Sequence, residues 1–422
     1  MRHVTRRFFL GSSGIALVGL GAVPPFLARA AEALAGRGKV LVVLFQRGAA
    51  DGLNIVVPHG EKGYYDLRPT IAIDRPKKGR DGSAIDLDGF FGLHPAMSPL
   101  KPLWDDEMLA VIHAAGSPDS TRSHFDAQDF MESGTPGIKS TSDGWLNRYL
   151  EARVAERASS FRAVSVTSEL PRILRGTAPA LAIPNVKKFG IPAGRFTGLV
   201  RGGLEAVYGA TDDAVLGATA NETFEAMDLL ERVNPSQYRP ANDAAYPRGP
   251  FGQAMLQIAQ LIKSGIGLEI AFAEIGSWDH HVNEGGAEGQ LANLLRQFSG
   301  GIAAFFKDLG GRADDVVLVT LSEFGRTAAE NGNRGTDHGH ATALLAAGGP
   351  IKGGKVYGAW PGLDREQLYE GRDLALTTDF RNVMGEVLAR HLGISSLSAV
   401  FPDHGLQPSS YRGVLGGSSP TS

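Results

Sequence analysis

Four short polar segments of this sequence are rich in side chains that bind metal ions. Each contains an acidic residue together with arginine, serine or histidine, and we place all four just after predicted strands. The segments are Arg47-Gly48-Ala49-Ala50-Asp51-Gly52-Leu53-Asn54, Arg122-Ser123-His124-Phe125-Asp126-Ala127-Gln128, Gly276-Ser277-Trp278-Asp279-His280-His281 and the run from Ser322 to His340. Carboxylate oxygen and imidazole nitrogen together suit zinc or manganese, with calcium as a third candidate. The segments therefore predict a site for divalent metal ions.

Histidines are concentrated in these segments. Five of the eleven in the chain lie there, namely His124, His280, His281, His338 and His340. Each motif alone also has an ordinary interpretation. Asp51-Gly52 fits a turn, Asp337-His338 fits a helix cap, and one imidazole of the His280-His281 pair fits a partner of a ligand. The joint occurrence of all four segments at strand ends favours a site.

Short apolar runs alternate along the chain with longer amphipathic segments, and these predict the strands and helices that would position the polar side chains. Continuous apolar runs of strand length occur at residues 39–45, 109–113, 161–166, 268–275 and 316–321. Apolar residues at three-four spacing predict helices over 291–309 and 380–392. This order predicts an α/β fold with a mainly parallel sheet and helices on both faces. Ligands of such sheets bind at the carboxyl ends of the strands.

The sequence also predicts how the chain is organised around these elements. Residues 38–395 are predicted to form a single domain. The less periodic stretch at about 190–250 predicts a helical insertion or cap over the sheet. Residues 414–422, rich in glycine and serine, predict a loose tail.

The N-terminus predicts export. Thr5-Arg6-Arg7-Phe8-Phe9-Leu10 pairs two arginines with apolar residues, an apolar run extends from Gly14 to Leu27, and Ala28-Arg29-Ala30 resembles a cleavage site. Residues 1–30 therefore read as a twin-arginine signal peptide, which implies the twin-arginine translocase as a partner and a periplasmic location. The alternative is an uncleaved N-terminal anchor.

Composition excludes several classes of function. The chain has no cysteine, so neither a disulfide scaffold nor a thiolate metal site is possible. Its net charge is −3 and no basic stripe is present, which argues against nucleic acid as a partner. No later apolar run reaches spanning length, so we expect no stable membrane insertion after cleavage.

The polar segments resemble those of the alkaline-phosphatase superfamily of metal-dependent phosphate and sulfate ester hydrolases. More closely, residues 38–395 resemble the exported family called domain of unknown function 1501. The motifs that carry this resemblance are Asp-Gly-Leu-Asn, Arg-Ser-His-Phe-x-Ala-Gln, Trp-Asp-x-His, Ser-Glu-Phe-Gly-Arg-Thr and Thr-Asp-His-Gly. The resemblance implies an alkaline-phosphatase-like fold with two metal ions at the sheet edge.

The superfamily resemblance also implies ligands. Asp51, Asp337 and His338 are similar to the residues that bind one metal, and Asp279 and His281 to those of the second. The superfamily usually spaces that second pair more widely. The superfamily resemblance implies a late histidine as well, for which His340 is a candidate and Glu323 a substitute. The full set of implied ligands is Asp51, Asp279, His281, Glu323, Asp337, His338 and His340.

By the same resemblance, Ser123 would be the nucleophile, with Arg122 and Arg326 neutralising charge on the transferring group. Ser123 equally fits the cap of the following helix. Glu323 and Arg326 also fit an i, i+3 pair that braces a loop.

The function expected from these features is metal-dependent hydrolysis of phosphate esters, or of sulfate or phosphonate esters, in the periplasm. The substrate would be a small molecule or an ester of a cell-envelope polymer. The alternative is a non-catalytic protein on the same fold that binds a metal or ligand in the cell envelope. Fold analogy alone does not choose between them.

Overall fold

A computed structural model describes residues 38–153, 159–189, 227–229 and 235–416 of the chain. The predicted signal peptide lies outside these residues, as do 190–226 and 230–234 of the predicted insertion. Within the described ranges, no helix combines the length and apolar character needed to cross a membrane.

The elements are numbered here in chain order. The strands are β1 Val40–Gln46, β2 Val56–Val57, β3 Ile85–Asp86, β4 Gly92–Leu93, β5 Leu109–Gly116, β6 Ala163–Ser165, β7 Leu181–Ala182, β8 Ile270–Ile275, β9 Val316–Ser322, β10 Thr342–Ala347, β11 Lys355–Tyr357 and β12 Thr378–Asp379. The helices are α1 Gly52–Ile55, α2 Lys62–Leu67, α3 Lys101–Asp105, α4 His124–Ser133, α5 Trp145–Ala152, α6 Pro250–Ser264, α7 Gln290–Leu309 and α8 Phe380–Glu386, which continues as a π-turn over Val387–His391.

Nine of these strands form one sheet in the order β11-β5-β10-β9-β1-β8-β6-β7, with β12 beside β5. Every pairing is parallel except the two made by β10, which runs against β5 and β9. The prediction of an α/β fold with a mainly parallel sheet is confirmed. Each of the five predicted strands is present, whereas β10 was not predicted from the sequence.

Strand β1 lies at the centre of the sheet and explains why its sequence is apolar throughout. All seven of its residues are buried, because β8 and β9 pair with its two edges and helices cover both faces. A strand buried on both faces reads as a continuous apolar run rather than an alternating one.

Helices pack on each face of the sheet, as predicted. On one face, α6 and α7 place Met255, Phe298 and Ile302 against alternate residues of β1, beginning with Val40. On the other face, α5 and α8 contribute the side chains that cover Leu41 and its alternate neighbours. The two apolar cores fix the strand ends, and so fix the loops that follow them.

Two predicted segments differ in detail from the structure. The segment before α6 is tied to α7, because Asp308 accepts hydrogen bonds from the Tyr238 and Tyr246 hydroxyls. The predicted tail begins later than residue 414. Val414 and Leu415 are buried, and Leu415 pairs with Ile351, since their apolar side chains complete the core. Residues 417–422 lie outside the described part of the chain.

Candidate metal centre

The four polar segments meet at one edge of the sheet. Three of them follow the carboxyl ends of the parallel strands β1, β5 and β8. The fourth leaves β9 at that same edge and ends at the start of β10. Because β10 is antiparallel, its first residue lies at the edge where β9 ends. The loop from Glu323 to Ala341 therefore leaves the sheet and returns to it at the edge where the site lies.

Three histidines and one aspartate converge at this edge. The Nε2 atom of His338 lies 3.0 Å from Nε2 of His124 and 3.0 Å from Nε2 of His281. Asp279 Oδ1 lies 3.0 Å from His281 Nε2 and 3.2 Å from His338 Nε2. Asp279 Oδ2 lies 3.6 Å from His124 Nε2. Donor atoms of His124, Asp279 and His338 all lie within 4.8 Å of one another.

These distances fit the ligand shell of a single small cation. Ligands placed about 2.0–2.1 Å from a tetrahedral zinc ion are separated from one another by about 3.3–3.4 Å. The measured separations of 3.0–3.6 Å bracket that value. Nitrogen donors with one carboxylate suit zinc or manganese better than calcium, which prefers oxygen. The donor set therefore fits a divalent transition metal.

Each histidine of the cluster is oriented by a hydrogen-bond acceptor at its other ring nitrogen, Nδ1. His124 Nδ1 lies 2.9 Å from Glu323 Oε1, and His281 Nδ1 lies 2.9 Å from Asp337 Oδ1. His338 Nδ1 lies 2.9 Å from the carbonyl oxygen of Arg122. An acceptor at Nδ1 fixes the tautomer that leaves Nε2 free to bind a metal. All three imidazoles thus direct Nε2 toward the same point.

Arg326 holds the aspartate of the cluster. Its Nη2 atom lies 2.5 Å from Asp279 Oδ1, and its guanidinium also donates to the carbonyls of Ala49 and Thr336. Burial alone would raise the pKa of Asp279, but the hydrogen bond and charge of Arg326 outweigh burial and lower it. Asp279 is therefore charged and fixed in direction. Arg326 is buried, and its donors are directed at the protein rather than at solvent.

Glu323 is the buried acceptor behind His124. It accepts hydrogen bonds from the Gly48 amide at 2.8 Å and from Gln128 Nε2 at 2.9 Å. Burial opposes ionisation of Glu323, but the hydrogen bonds from His124 and Gln128 lower its pKa below the usual value. The hydrogen bond to Glu323 in turn raises the pKa of His124. Glu323 thus orients the His124 ring and is not one of the four residues whose donor atoms converge.

A glycine allows the loop to fold this closely. A Cβ atom on Gly339 would lie 2.3 Å from the backbone carbonyl carbon of Arg326, so only glycine fits there. His338 pairs with Arg326 through an isolated backbone bridge at the same place. The glycine of Thr-Asp-His-Gly thus brings His338 and Arg326 together.

Two residues that the sequence analysis assigned as ligands lie apart from the four converging donors. His340 lies apart from the cluster, because its Nε2 bonds the Ser117 carbonyl and its ring packs on Tyr369. Asp51 also lies apart, because Arg68 occupies both of its oxygens at 2.5 and 3.0 Å. Burial would raise the pKa of Asp51, but the charge and hydrogen bonds of Arg68 lower it. Asp51 is the buried partner of an arginine.

Asp337 also has a different place from that expected. Its carboxylate holds His281 Nδ1 and accepts a hydrogen bond from Asn331 Nδ2 at 3.1 Å. The hydrogen bond from His281 is the main reason that the pKa of Asp337 is lowered. Asp337 therefore lies behind His281, as Glu323 lies behind His124.

Ser123 and Arg122 lie beside the cluster. Ser123 is the N-cap of α4, where its Oγ accepts from the Asp126 amide at 3.5 Å, and its side chain is exposed. Arg122 points its guanidinium at Asp373 and Glu370, at 2.7 and 2.6 Å. Arg122 thus contributes its carbonyl oxygen, rather than its charge, to the cluster.

His124 was included among the clustered histidines of the sequence but was not assigned as a ligand. It is the first residue of α4, directly after the serine that the resemblance favoured. A histidine at the start of a helix that follows a strand is placed at the carboxyl edge of the sheet, which is the signal that could have identified it. Among the described residues, the structure assembles one such cluster rather than two.

Comparison with solved structures finds distant similarity to a sulfatase, to a periplasmic domain and to a phosphonate monoester hydrolase. The PsFucS1 sulfatase from Pseudoalteromonas sp. is 11% identical over 79% of this chain and 67% of its own, with a TM-score of 0.35. The C-terminal periplasmic domain of EcEptC from Escherichia coli, in complex with Zn, is 11% identical over 74% of each chain, with a TM-score of 0.34.

The phosphonate monoester hydrolase SpPMH from Silicibacter pomeroyi is 11% identical over 89% of this chain and 78% of its own, with a TM-score of 0.31. TM-scores this far below 0.5 assign no activity to the chain. No curated protein matches its sequence.

A family model gives the firmer relationship. It matches residues 108–402, which include α4, the Asp279 and His281 segment, and the whole loop between β9 and β10. The chain therefore belongs to the family described as "Protein of unknown function (DUF1501)".

Proposed function

We propose that this chain is an exported metal-dependent hydrolase of phosphate, sulfate or phosphonate esters. The observation that carries the proposal is the convergence of three histidine Nε2 atoms on Asp279, with every Nδ1 atom held by an acceptor. Packing alone would not direct three histidine Nε2 atoms at one point.

The exposure of the cluster favours catalysis over a purely structural metal. The side chains of Asp279 and His281 are 44% and 39% exposed, and those of His124 and His338 about a quarter exposed. A structural site is usually closed by its ligands, whereas a catalytic site keeps a position open to water or substrate. This surface position leaves room for an ester group at the cluster.

Each residue of the site has a proposed role. His124, His281, His338 and Asp279 would hold the divalent ion, for which we propose zinc or manganese. A divalent ion in such a site polarises an ester oxygen and makes an oxygen nucleophile available at neutral pH. Glu323, Asp337 and the Arg122 carbonyl keep the imidazoles oriented, and Arg326 keeps Asp279 charged. Ser123, exposed beside His124, remains the candidate nucleophile from the chain.

The proposed location is the periplasm, reached through the twin-arginine translocase. The paired Arg6 and Arg7, the apolar run and the small residues at 28–30 support this route. That route exports folded proteins. Because the ligands come from three separate segments of the chain, export after folding would let the site form before translocation.

The test compares metal content and turnover in matched variants of the mature protein. The wild type should contain near-stoichiometric zinc or manganese by mass spectrometry and should hydrolyse a p-nitrophenyl phosphate, sulfate or phenylphosphonate. His338→Ala should lose both metal and turnover, whereas Ser123→Ala should keep the metal and lose turnover. His404→Ala, which alters a half-buried histidine bonded to Asn382, is the control and should keep both.

A second candidate function is non-catalytic metal or ligand binding in the cell envelope. The observation in its favour is that the Ser123 hydroxyl already has a structural use as the cap of α4. Under this alternative the wild type would bind metal but cleave none of the three esters, and Ser123→Ala would change only the stability of the helix, by about 1 kcal/mol.

A further inference from the structure

A cleft of about 390 Å³ lies along α4, the helix that begins at His124, and is used by none of the chemistry described above. Its walls are α4, the segment from Thr167 to Arg175 that follows β6, and the end of β8 at Glu274. Gln128 and Glu132 of α4 line it together with Arg47, which follows β1.

The cleft and the metal cluster share one face of α4. His124, Gln128 and Glu132 are spaced four residues apart, so their side chains lie along the same side of the helix. At 1.5 Å per residue, Gln128 lies about 6 Å and Glu132 about 12 Å along the helix from His124. The cleft therefore begins about one helical turn from the cluster and extends about one turn further.

Hydrogen bonds connect the two places. Arg47 Nη1 donates to Gln128 Oε1 at 3.1 Å, and Gln128 Nε2 donates to Glu323 Oε1, the atom that holds His124. Arg47 is fixed in turn by Glu132 and Glu274, each at 2.7 Å. These contacts make the wall between cleft and cluster a rigid one.

The lining of the cleft indicates the class of ligand. Three arginines and four acidic residues line it, together with Thr167, Ser168 and Gln128, so the lining contains both hydrogen-bond donors and acceptors. The formal charges nearly cancel, which disfavours a polyanion, and only Leu170 and Pro171 are apolar, which disfavours a lipid. A neutral ligand with many hydroxyl groups matches such a surface, because each hydroxyl both donates and accepts.

Two groups of the cleft are available for such a ligand. Arg175 is exposed, and among the described residues its guanidinium makes one hydrogen bond, from Nε to the Leu170 carbonyl. Glu169 is also exposed, and its carbonyl rather than its carboxylate accepts the Thr167 hydroxyl. We propose that this cleft binds the hydroxyl-rich part of the ester substrate, a sugar or similar polyol, while the ester itself lies at the metal cluster.

The inference about substrate class rests on the proposed hydrolase function, but the cleft can be tested without turnover. The probes are maltose, cellobiose and N,N′-diacetylchitobiose, whose binding to the mature protein is measured by calorimetry and saturation-transfer NMR. At least one should bind to the wild type. Arg175→Ala and Glu169→Ala should each weaken that binding about tenfold or more while retaining the metal. Arg80→Ala, which removes an exposed arginine paired with Asp74, should bind as the wild type does.

The kinetic arm compares glucose 6-phosphate with methyl phosphate. Arg175→Ala should lower kcat/KM about tenfold for the sugar ester only. Absence of disaccharide binding, binding unchanged in both cleft variants, or equal kinetic losses for both esters would each overturn the assignment of the cleft. A wild type that binds a disaccharide through Arg175 and Glu169 but hydrolyses neither ester would instead support the cleft and reject the hydrolase.

Discussion

His124 and His338 face each other with their Nε2 atoms 3.0 Å apart, while the Nδ1 atom of each is occupied by an acceptor. Two neutral imidazoles in this arrangement direct lone pairs at one another. Such a contact is stable only with a cation between the nitrogens, either a metal ion or a proton on His124. Burial lowers the pKa of His338, so a proton there is disfavoured.

The first prediction concerns stabilisation by metal. Zinc or manganese at one hundred times its dissociation constant should stabilise the wild type by about 2.7 kcal/mol, because only the folded chain assembles the four ligands. We expect a rise in Tm that His338→Ala abolishes, measured by scanning calorimetry with and without the ion. An equal rise in His338→Ala would place the ion elsewhere.

The second prediction separates ligands from the carboxylates behind them. Glu323→Gln and Asp337→Asn should weaken metal binding about 10- to 100-fold, since each loosens one imidazole without removing a donor. Asp279→Ala should weaken it further, because a ligand is lost. Competition with a chelating dye gives the three affinities. If Asp337→Asn proved as damaging as Asp279→Ala, Asp337 would bind the ion directly.

The third prediction concerns the buried pair of Asp51 and Arg68. Asp51→Asn should reduce the free energy of unfolding by about 3–5 kcal/mol, because it leaves the buried Arg68 guanidinium without its charge partner. Metal stoichiometry should not change. The double variant Asp51→Leu/Arg68→Met should be less destabilised than Asp51→Asn in urea titrations. Loss of metal at unchanged stability would restore Asp51 as a ligand.

The fourth prediction concerns acid. Burial lowers the pKa of His94, His113 and His391 to about 4, below the value near 6.5 of an unfolded histidine. The unfolded chain therefore binds more protons between pH 6.5 and 4, and stability should fall as pH drops through that window. Each group contributes a slope of up to about 1.4 kcal/mol per pH unit.

Urea titrations at pH 7.5 and 5, with EDTA present so that metal release does not contribute, measure this slope. His391→Gln removes one titrating group and should make the fall shallower. A slope as steep as that of the wild type would show that His391 binds protons equally in the folded and unfolded states and does not contribute to the pH dependence.

The fifth prediction concerns export. Replacing Arg6 and Arg7 by lysine should retain the protein in the cytoplasm as an uncleaved precursor, because the arginine pair marks the twin-arginine route. Cell fractionation with immunodetection of the chain measures this. Lys39→Arg, a change outside the signal, is the control. Continued export of the double-lysine variant would assign the signal to the general secretory route.

The sequence predicted the sheet better than the site. Strands such as β1 are long apolar runs that can be predicted without knowing which strands pair with them. The composition of a strand, however, does not indicate its direction in the sheet. Thr342–Ala347 is a short run of small and apolar residues, and nothing local marks it as β10 or as antiparallel. Its direction is set by the loop that returns to the edge where β9 ended.

The site illustrates the same limit at the level of side chains. The positions of Asp279, His281 and His338 at the sheet edge follow from the strand order, and the structure brings these three together. Asp51 also follows a strand, but its role depends on Arg68, which lies in a stretch without clear periodicity. A pairing of that kind depends on tertiary structure and has no local signal.

The reversed direction of β10 has a consequence for how this architecture can change. Since the chain leaves and re-enters the sheet at one edge, the loop between β9 and β10 is a single excursion that crosses neither apolar core. It carries His338 together with the groups that hold Asp279, His124 and His281. Exchange of this one loop between family members would replace half of the proposed metal site as a module, leaving the folding of the sheet to the rest of the chain.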